Sequence, residues 1–503
     1  MNTVVPRLIS GVFAGITGLA VLEMLRLKGA TLVQQPSLAT VLAACGVMGT
    51  LVGIVGCLMP RRYWKILLSN GQQIYSALAL PRPMVNHWAG SLLLSGSLVV
   101  YFIVLMNILP QQPPPDNNDQ ASFLMQAKTV HEAGGPVTLA QQLLAGEYSE
   151  ANQHPLYVAL LSYFPNYETG KRLSAMFGLC ALLIFTMGTA RYYGNLVGGL
   201  TGILLSINAA YCQLTARVVC EGLLLIFVAG LWLMVLRIPD FRKPSRLPSL
   251  LLIGIGLTLG LAWLTKGTAL LLMLGLVLWL CSYTVSWNRW IPAILQQQRT
   301  DDSMTGENQT KQTTVPLKRV VIGVALVIGS FTVIAAPLLI RNVRVYGSPT
   351  FNANSYLLFE DEFSEPHALI KERGSLRNAA QNYWQSHTIF EMIKREVKGL
   401  LWQIFIFLRS LGPLPFGEGR LFFGLLALPF LIVGLMSESG PSRRLYLIWM
   451  LLFCLAFAWY LPIAAGERVL IPLLLPSLAF VSLGLVRTGQ LLLARRSEMP
   501  LSH

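Results

Sequence analysis

Apolar runs about as long as a bilayer core requires, roughly twenty residues, recur along this chain from one end to the other. Lipid offers no water to bond a free N–H or C=O. Each run must therefore satisfy its backbone within itself as a helix, or within a closed β-barrel. A barrel strand alternates apolar with polar residues, and the run Leu250–Leu264 does not alternate. The chain reads as an all-α polytopic membrane protein. Composition agrees: of 503 residues, 54% are hydrophobic and 12% charged, which no ordinary soluble domain matches.

The runs fall near 8–25, 38–58, 88–109, 170–190, 196–213, 219–236, 249–264, 267–285, 320–338, 420–437, 445–463 and 468–487. They predict about twelve transmembrane helices, within a range of roughly eleven to fourteen. Residues 400–411 are apolar but short for a crossing. The N-terminal run, with one early Arg and no small-residue cleavage site, reads as a retained anchor. Four regions follow: a two-span extension with its cytoplasmic loop (1–87), a membrane module carrying the outer loop 110–169 (88–338), an outer segment (339–399), and the C-terminal spans (400–503).

The formal charge of +15 raises nucleic acid as a partner, but no loop joins a basic patch to stacking aromatics. Lys and Arg of polytopic proteins collect on the cytoplasmic side. Arg61, Arg62, Lys65 and Arg82 form one such cluster; Arg237, Arg242, Lys243 and Arg246 a second; Arg289, Arg299, Lys311, Lys318 and Arg319 a third. With the N-terminus inside and 400–411 not crossing, these clusters and the pairs Arg443–Arg444 and Arg495–Arg496 all face the cytoplasm. A crossing at 400–411 would put the two pairs outside, so the positive-inside bias argues against it. This topology predicts a plasma (inner) membrane protein with outer loops at 110–169 and 340–399. The polar stretch 296–317 reads as a cytoplasmic disordered linker. Asn308-Gln-Thr310 fits a glycosylation acceptor but falls in that linker. The seven cysteines mostly sit in apolar runs without a C-x-x-C pair, as packing residues do.

In the first outer loop, Phe123, Ala127 and Val130 at i, i+4, i+7 predict a short helix over Asp119–Ala133, amphipathic and too short to span. Gly134-Gly135 ends it, and Pro136 starts a second with Leu139 and Leu143 on its apolar side. Such helices lie at the membrane surface and hold Asp119 near it. Ionisable residues at outer span ends are costly and invite a functional reading: Arg217, Glu221, Lys266, Arg341 with Asn342, and Glu467 with Arg468. Taken singly, a terminal Lys or Arg usually snorkels to headgroups. Taken together, cations facing Asp116 and Asp119 suit chemistry on a lipid-linked phosphate. A departing phosphate needs positive charge, an acceptor hydroxyl needs one carboxylate base, and a guanidinium holds two phosphate oxygens at once. His131, Glu132 and His154 keep a divalent metal open, although no H-E-x-x-H spacing occurs. The acidic run Glu360-Asp-Glu362 with Glu365 reads as a solvated face.

Five segments then carry a family resemblance. They are Asp119-Gln120 with Ala127 and Glu132-Ala-Gly-Gly; His154-Pro-Leu-Tyr157; Gly260-Leu-Ala-Trp-Leu-Thr-Lys-Gly267; Ala336-Pro-Leu-Leu-Ile-Arg-Asn342 with Gly347-Ser-Pro349; and Glu467-Arg468 with Pro472. In this order the chain, over about 88–487, resembles the membrane glycosyltransferases of the C-type fold, the group of protein O-mannosyltransferases and the lipid A aminoarabinose transferase. The resemblance implies a polyprenyl-phosphate sugar donor, a lipid, glycan or protein acceptor, and inverting transfer on the non-cytoplasmic face. It gives Asp119 as the catalytic carboxylate, with Lys266, Arg341 and Arg468 toward the donor phosphate. Arg217 joins these as a phosphate candidate and Asp116 as a second acid. His154, Tyr157, Glu221, Asn342 and Glu467 are candidate supports. The residues fix no cofactor; a divalent metal stays open and would fall to Asp119, Glu132 or His154. Gln120 stands where the family has a second acid, and His154 where it has a first Pro. The competing readings are a transporter or flippase for a lipid-linked or anionic solute, which would favour mid-membrane charges and broken helices, and a non-catalytic assembly protein.

Overall fold

The computed structural model describes residues 88–116, 119–150, 152–238, 247–284, 315–414, 419–438, 440–460 and 466–498. The expected spans at 8–25 and 38–58 and most of the stretch 296–317 lie outside these residues. Among those described, the chain is helical, with one isolated β-bridge between Asn208 and Pro413.

The loop expected on the outer face opens after α1 (Trp88–Ile108) and holds α2 (Asp119–Glu132), α3 (Pro136–Ala145) and α4 (Pro155–Leu161). The apolar side predicted for α2 is the buried one, Phe123, Ala127 and Val130, and α3 buries Leu139 and Leu143. Gly134 and Gly135 turn the chain at φ +109° and +86°, values that side chains resist. Next come α5 (Tyr167–Tyr193), α6 (Asn195–Ser206), α7 (Ala209–Thr215), α8 (Glu221–Arg237), α9 (Ser249–Thr265), α10 (Ala269–Cys281) and α11 (Leu317–Tyr346). The segment expected on the outer face carries a 3-10 turn at Ala353–Phe359, then α12 (Pro366–Arg373) and α13 (Leu376–Ser386). The chain closes with α14 (Ile389–Ser410), α15 (Arg420–Ser437), α16 (Pro441–Trp459) and α17 (Ile471–Glu498).

Among the described residues, six stretches are long and apolar enough to cross a membrane: Trp88–Gln111, Tyr167–Tyr193, Leu317–Tyr346, Arg420–Ser437, Pro441–Trp459 and Ile471–Leu491. Asn195–Ser206, Ser249–Thr265 and Ala269–Cys281 are apolar but shorter. The expected continuous span at 196–213 is broken instead. The Asn208 side chain donates to the Ser410 carbonyl at 2.8 Å and accepts from the Tyr211 N–H at 2.9 Å, so Asn208 caps α7 and ends α6. The short apolar stretch 400–411 is the end of a 22-residue helix, α14, which starts in the outer segment at a Thr388/Glu391 capping box and runs through the limit drawn at 399.

Small residues set how closely these helices approach. A Cβ on Gly90 would strike the backbone of Asn195, and one on Gly199 the carbonyl of Gly90, which joins α1 to α6. Gly256 of α9 faces the Val327 carbonyl of α11, and Gly434 and Gly484 pair α15 with α17 in the same way. Membrane helices pack by such close backbone approach because lipid supplies no hydrophobic drive between them.

Candidate active site

Asp119 opens α2, and the residue after it fastens that helix. The Gln120 carbonyl oxygen accepts the Val218 N–H at 3.0 Å. Phe123 meets Tyr157 of α4 edge-on, ring centres 5.1 Å apart. Where the resembled family has a second acid, this chain thus has a buried amide that ties α2 to the loop before α8. Glu221 opens α8 with no exposed surface. Lys266 occupies the break between α9 and α10, and Arg468 lies in the turn before α17.

Four of these side chains meet. Arg468 donates from Nη1 to Asp119 Oδ2 and from Nε to Glu221 Oε1. Lys266 Nζ donates to the same Glu221 oxygen at 2.5 Å, and the Cys220 thiol approaches Oε2 at 3.8 Å. Side-chain exposure rises from 0% at Glu221 through 16% at Lys266 and 31% at Arg468 to 46% at Asp119. Glu221 is therefore the buried anchor that holds both cations in place, and Asp119 with Arg468 forms the accessible edge. Among the described residues Asp119 Oδ1 has no partner, so one oxygen of the carboxylate is held and the other is open. Two carboxylates balance two cations, which offsets the cost of burying them.

Arg341 does not join this network. Its Nη1 donates to the carbonyl oxygens of Glu150 and, at 3.5 Å, Tyr148, and its guanidinium lies over the Tyr148 and Tyr346 rings at 5.8 and 5.4 Å. It is 3% exposed and makes no ion pair among the described residues. A small pocket beside it is lined by Asn152, Gln153, His154, Asn342 and Asn352, with Leu338 and Phe351 as apolar wall. His154 packs edge-on against Trp263, ring centres 5.7 Å apart. Burial holds its pKa at about 4, against a hydrogen bond to the Trp263 backbone and with the nearby charges of Arg341 and Lys266, so the ring is neutral at pH 7.

Other expected residues lie elsewhere. Asp116 sits exposed in a turn, its N–H on the Pro114 carbonyl at 2.9 Å, with no ion pair among the described residues. Arg217 donates from Nε to Gln112 Oε1 at 3.1 Å, which fastens the loop before α8 to the chain after α1, and it makes no ion pair with Asp119 or Glu221 among the described residues. Glu467 pairs with Arg420 at 3.1 Å and Arg409 at 3.6 Å, a structural clasp onto α14 and α15. Tyr157 is buried, its hydroxyl 2.7 Å from Ser174 Oγ, and holds α4 on α5. Asn342 donates to the carbonyls of Pro349 and Phe351 at 2.9 and 3.3 Å and so folds back the chain after α11. Asp119, Glu132 and His154 do not converge: Glu132 lies 3.9 Å from Lys128 on the exposed side of α2. Among the described residues no three His, Cys, Asp or Glu side chains are placed to hold a metal.

Sequence reasoning missed a second cluster in the outer segment. Within the acidic run read as a solvated face, Asp361 bonds His387 at 2.9 Å and Arg395 at 3.4 Å. Arg395 also donates to the Tyr383 hydroxyl at 3.0 Å and the Trp459 carbonyl at 2.9 Å. The cluster ties the outer segment to α14 and to the end of α16. A carboxylate in a run of acids gives no sign of a distant guanidinium.

The chain is thus an all-helical polytopic membrane protein whose acidic and basic side chains from four distant segments meet in one place. No family model matches the chain, and no curated protein does. Among solved structures it is similar to the archaeal oligosaccharyltransferase AglB from Archaeoglobus fulgidus in complex with an inhibitory peptide and a dolichol-phosphate, at 12% identity and a TM-score of 0.42. That match covers 82% of this chain and 52% of the other, so the chain spans about half the length of the protein it matches. With so distant a likeness, function has to be read from the chain's own side chains.

Proposed function

We propose that this protein is an integral membrane glycosyltransferase. It moves a sugar from a polyprenyl-phosphate donor to a lipid, glycan or protein acceptor on the non-cytoplasmic face, with inversion. Asp119 acts as the base: its open oxygen takes the proton of the acceptor hydroxyl as that oxygen attacks the anomeric carbon. The bond to the phosphate oxygen breaks, and Arg468 and Lys266 receive the charge left on the phosphate. Glu221 is a positioning residue that holds both cations. The observation that carries this reading is Arg468 bridging Asp119 and Glu221, which puts the carboxylate and the cations in one site.

One observation favours a transporter or flippase. The helices are broken at Lys266, between α9 and α10, and at Asn208, between α6 and α7, and such breaks often line solute sites. One experiment separates the two readings. The purified full chain is reconstituted in liposomes with polyprenyl-phosphate hexose and candidate acceptors, and both glycosylated product and transbilayer movement of a fluorescent donor are followed. Product formation without faster movement supports the transferase. Movement without product contradicts it.

A further inference from the structure

We propose that α14 lies in the bilayer surface rather than across it, with one apolar stripe seated in lipid and a polar stripe facing water. The inference rests on the membrane fold alone and holds whether or not the chain transfers sugar.

α14 has 22 residues, about 33 Å at 1.5 Å per residue, which is length enough to cross. Its neighbours show that it does not stand upright. α15 and α16 are each long and apolar enough to cross, and only residues 438–440 join them. Crossing in opposite directions, they leave their free ends, Arg420 and Trp459, at one face, the one expected to be outer. α14 touches both ends. A Cβ on Gly399 would strike the Ala458 carbonyl, and one on Gly424 the Leu408 carbonyl. Arg395 and Gln403 donate to the carbonyls of Trp459 and Phe457 at 2.9 and 3.2 Å. The stretch from Gly399 to Leu408, about 13 Å of helix, thus leads from the last turn of α16 to the second turn of α15. Those two points differ in depth by about one helical turn. α14 therefore runs close to the membrane plane and dips toward its C-terminal end.

Three sides of α14, about 120° apart at 3.6 residues per turn, meet three surroundings. The side carrying Met392, Arg395, Gly399, Gln403, Ile406 and Ser410 is buried against the protein. A second side carries Ile389, Ile393, Val397, Leu400, Ile404 and Leu408 within an arc of about 100°, the width of an apolar helix face. Ile389, Ile393 and Ile404 are 66%, 54% and 51% exposed, and the other three are half-buried. The third side carries Glu391, Lys394 and Lys398. A helix with lipid on both free sides would be apolar on both, and one in water would be polar on both. One side of each kind fits a helix seated in the interface plane. Lys394 and Lys398 reach headgroup phosphates from there on their long stems. Trp402, 41% exposed, follows Lys398, and tryptophan favours headgroup depth.

The test places the photo-crosslinking residue p-benzoylphenylalanine at Ile393 or at Ile404, and as a control at Glu391. Each full chain is reconstituted in liposomes of phosphatidylglycerol and phosphatidylcholine and irradiated, and its adducts are identified by mass spectrometry. Ile393 and Ile404 lie on the same stripe, so either position answers if the other disturbs folding. Lipid adducts should form at both and be lost at 391. Lipid adducts at 391 as abundant as at 393 overturn the proposal, because the helix would then have lipid on both free sides. Crosslinked dimers in place of lipid adducts at 393 and 404 also overturn it and make the stripe an interface between two copies of the chain. Absence of lipid adducts at all three positions places the stripe in water and overturns it as well.

Discussion

Arg468 and Asp119 stand 349 positions apart in the chain and share a hydrogen-bonded ion pair. The pair joins the first outer loop to the turn before α17. Its geometry depends on Glu221, which accepts from the other nitrogen of the same guanidinium. A carboxylate held in this way has one fixed oxygen and one free, as a base near an approaching hydroxyl requires.

Glu221 is the residue on which the network's stability depends. Glu221→Gln leaves Lys266 and Arg468 facing each other without the buried charge that offsets them, and should cost about 3 kcal/mol, the lower end for a broken buried pair because both cations keep some water. Glu221→Gln combined with Lys266→Met removes one of the stranded charges and should recover part of that loss. Denaturant or thermal unfolding of the two variants in the same detergent checks both statements; a double variant no more stable than the single one counts against the network.

The outer segment should respond to pH through His387. Burial of its ring works against protonation, but hydrogen bonds to Asp361 and to the Tyr383 backbone, with the charges of Asp361 and Glu391, raise its pKa above the ordinary 6.5. A raised folded-state value means the contribution is complete below pH 6.5 and is lost as pH rises through the raised value. Arg395 also pairs with Asp361, at 3.4 Å. Hydrogen exchange of α13 should therefore quicken over that window in the native protein, and His387→Asn should flatten the response. A profile unchanged by the substitution removes the role of His387.

Much of the first outer loop was legible. The spacing of Phe123, Ala127 and Val130 and the Gly-Gly-Pro turn are local signals, and α2 and α3 follow them. The break at Asn208 was not, because 196–213 is mostly apolar and an Asn within it can equally sit inside a span; what fixes its side chain at the break is a carbonyl of Ser410, 202 residues away. The same limit applies to the site. A cation at a span end is visible in the sequence, but its direction is not: Lys266 and Arg468 turn to Glu221, whereas Arg217 turns to Gln112 and Arg341 to the carbonyls of the outer loop. Asn152 and Asn352 carry no periodicity or motif, so the polar pocket had no sequence signal beyond the departure at His154.

Close helix packing gives a prediction independent of function. Gly256→Ala drives a Cβ into the Val327 carbonyl and the Ser330 side chain, so α9 and α11 must separate, at about 1–3 kcal/mol. Gly230→Ala, where a Cβ meets nothing within 4 Å, should leave stability unchanged or slightly raised. Thermal midpoints of the two variants test the α9–α11 contact, and equal midpoints would contradict it.

The most direct measurement is single-turnover sugar transfer from polyprenyl-phosphate hexose by Asp119→Asn beside the native protein, both reconstituted and matched for folded fraction. The substitution keeps the size and a hydrogen-bonding oxygen but removes the proton acceptor. Transfer should fall by about 10²–10⁴-fold with donor affinity largely kept. Transfer at the native rate would mean that Asp119 is not the base.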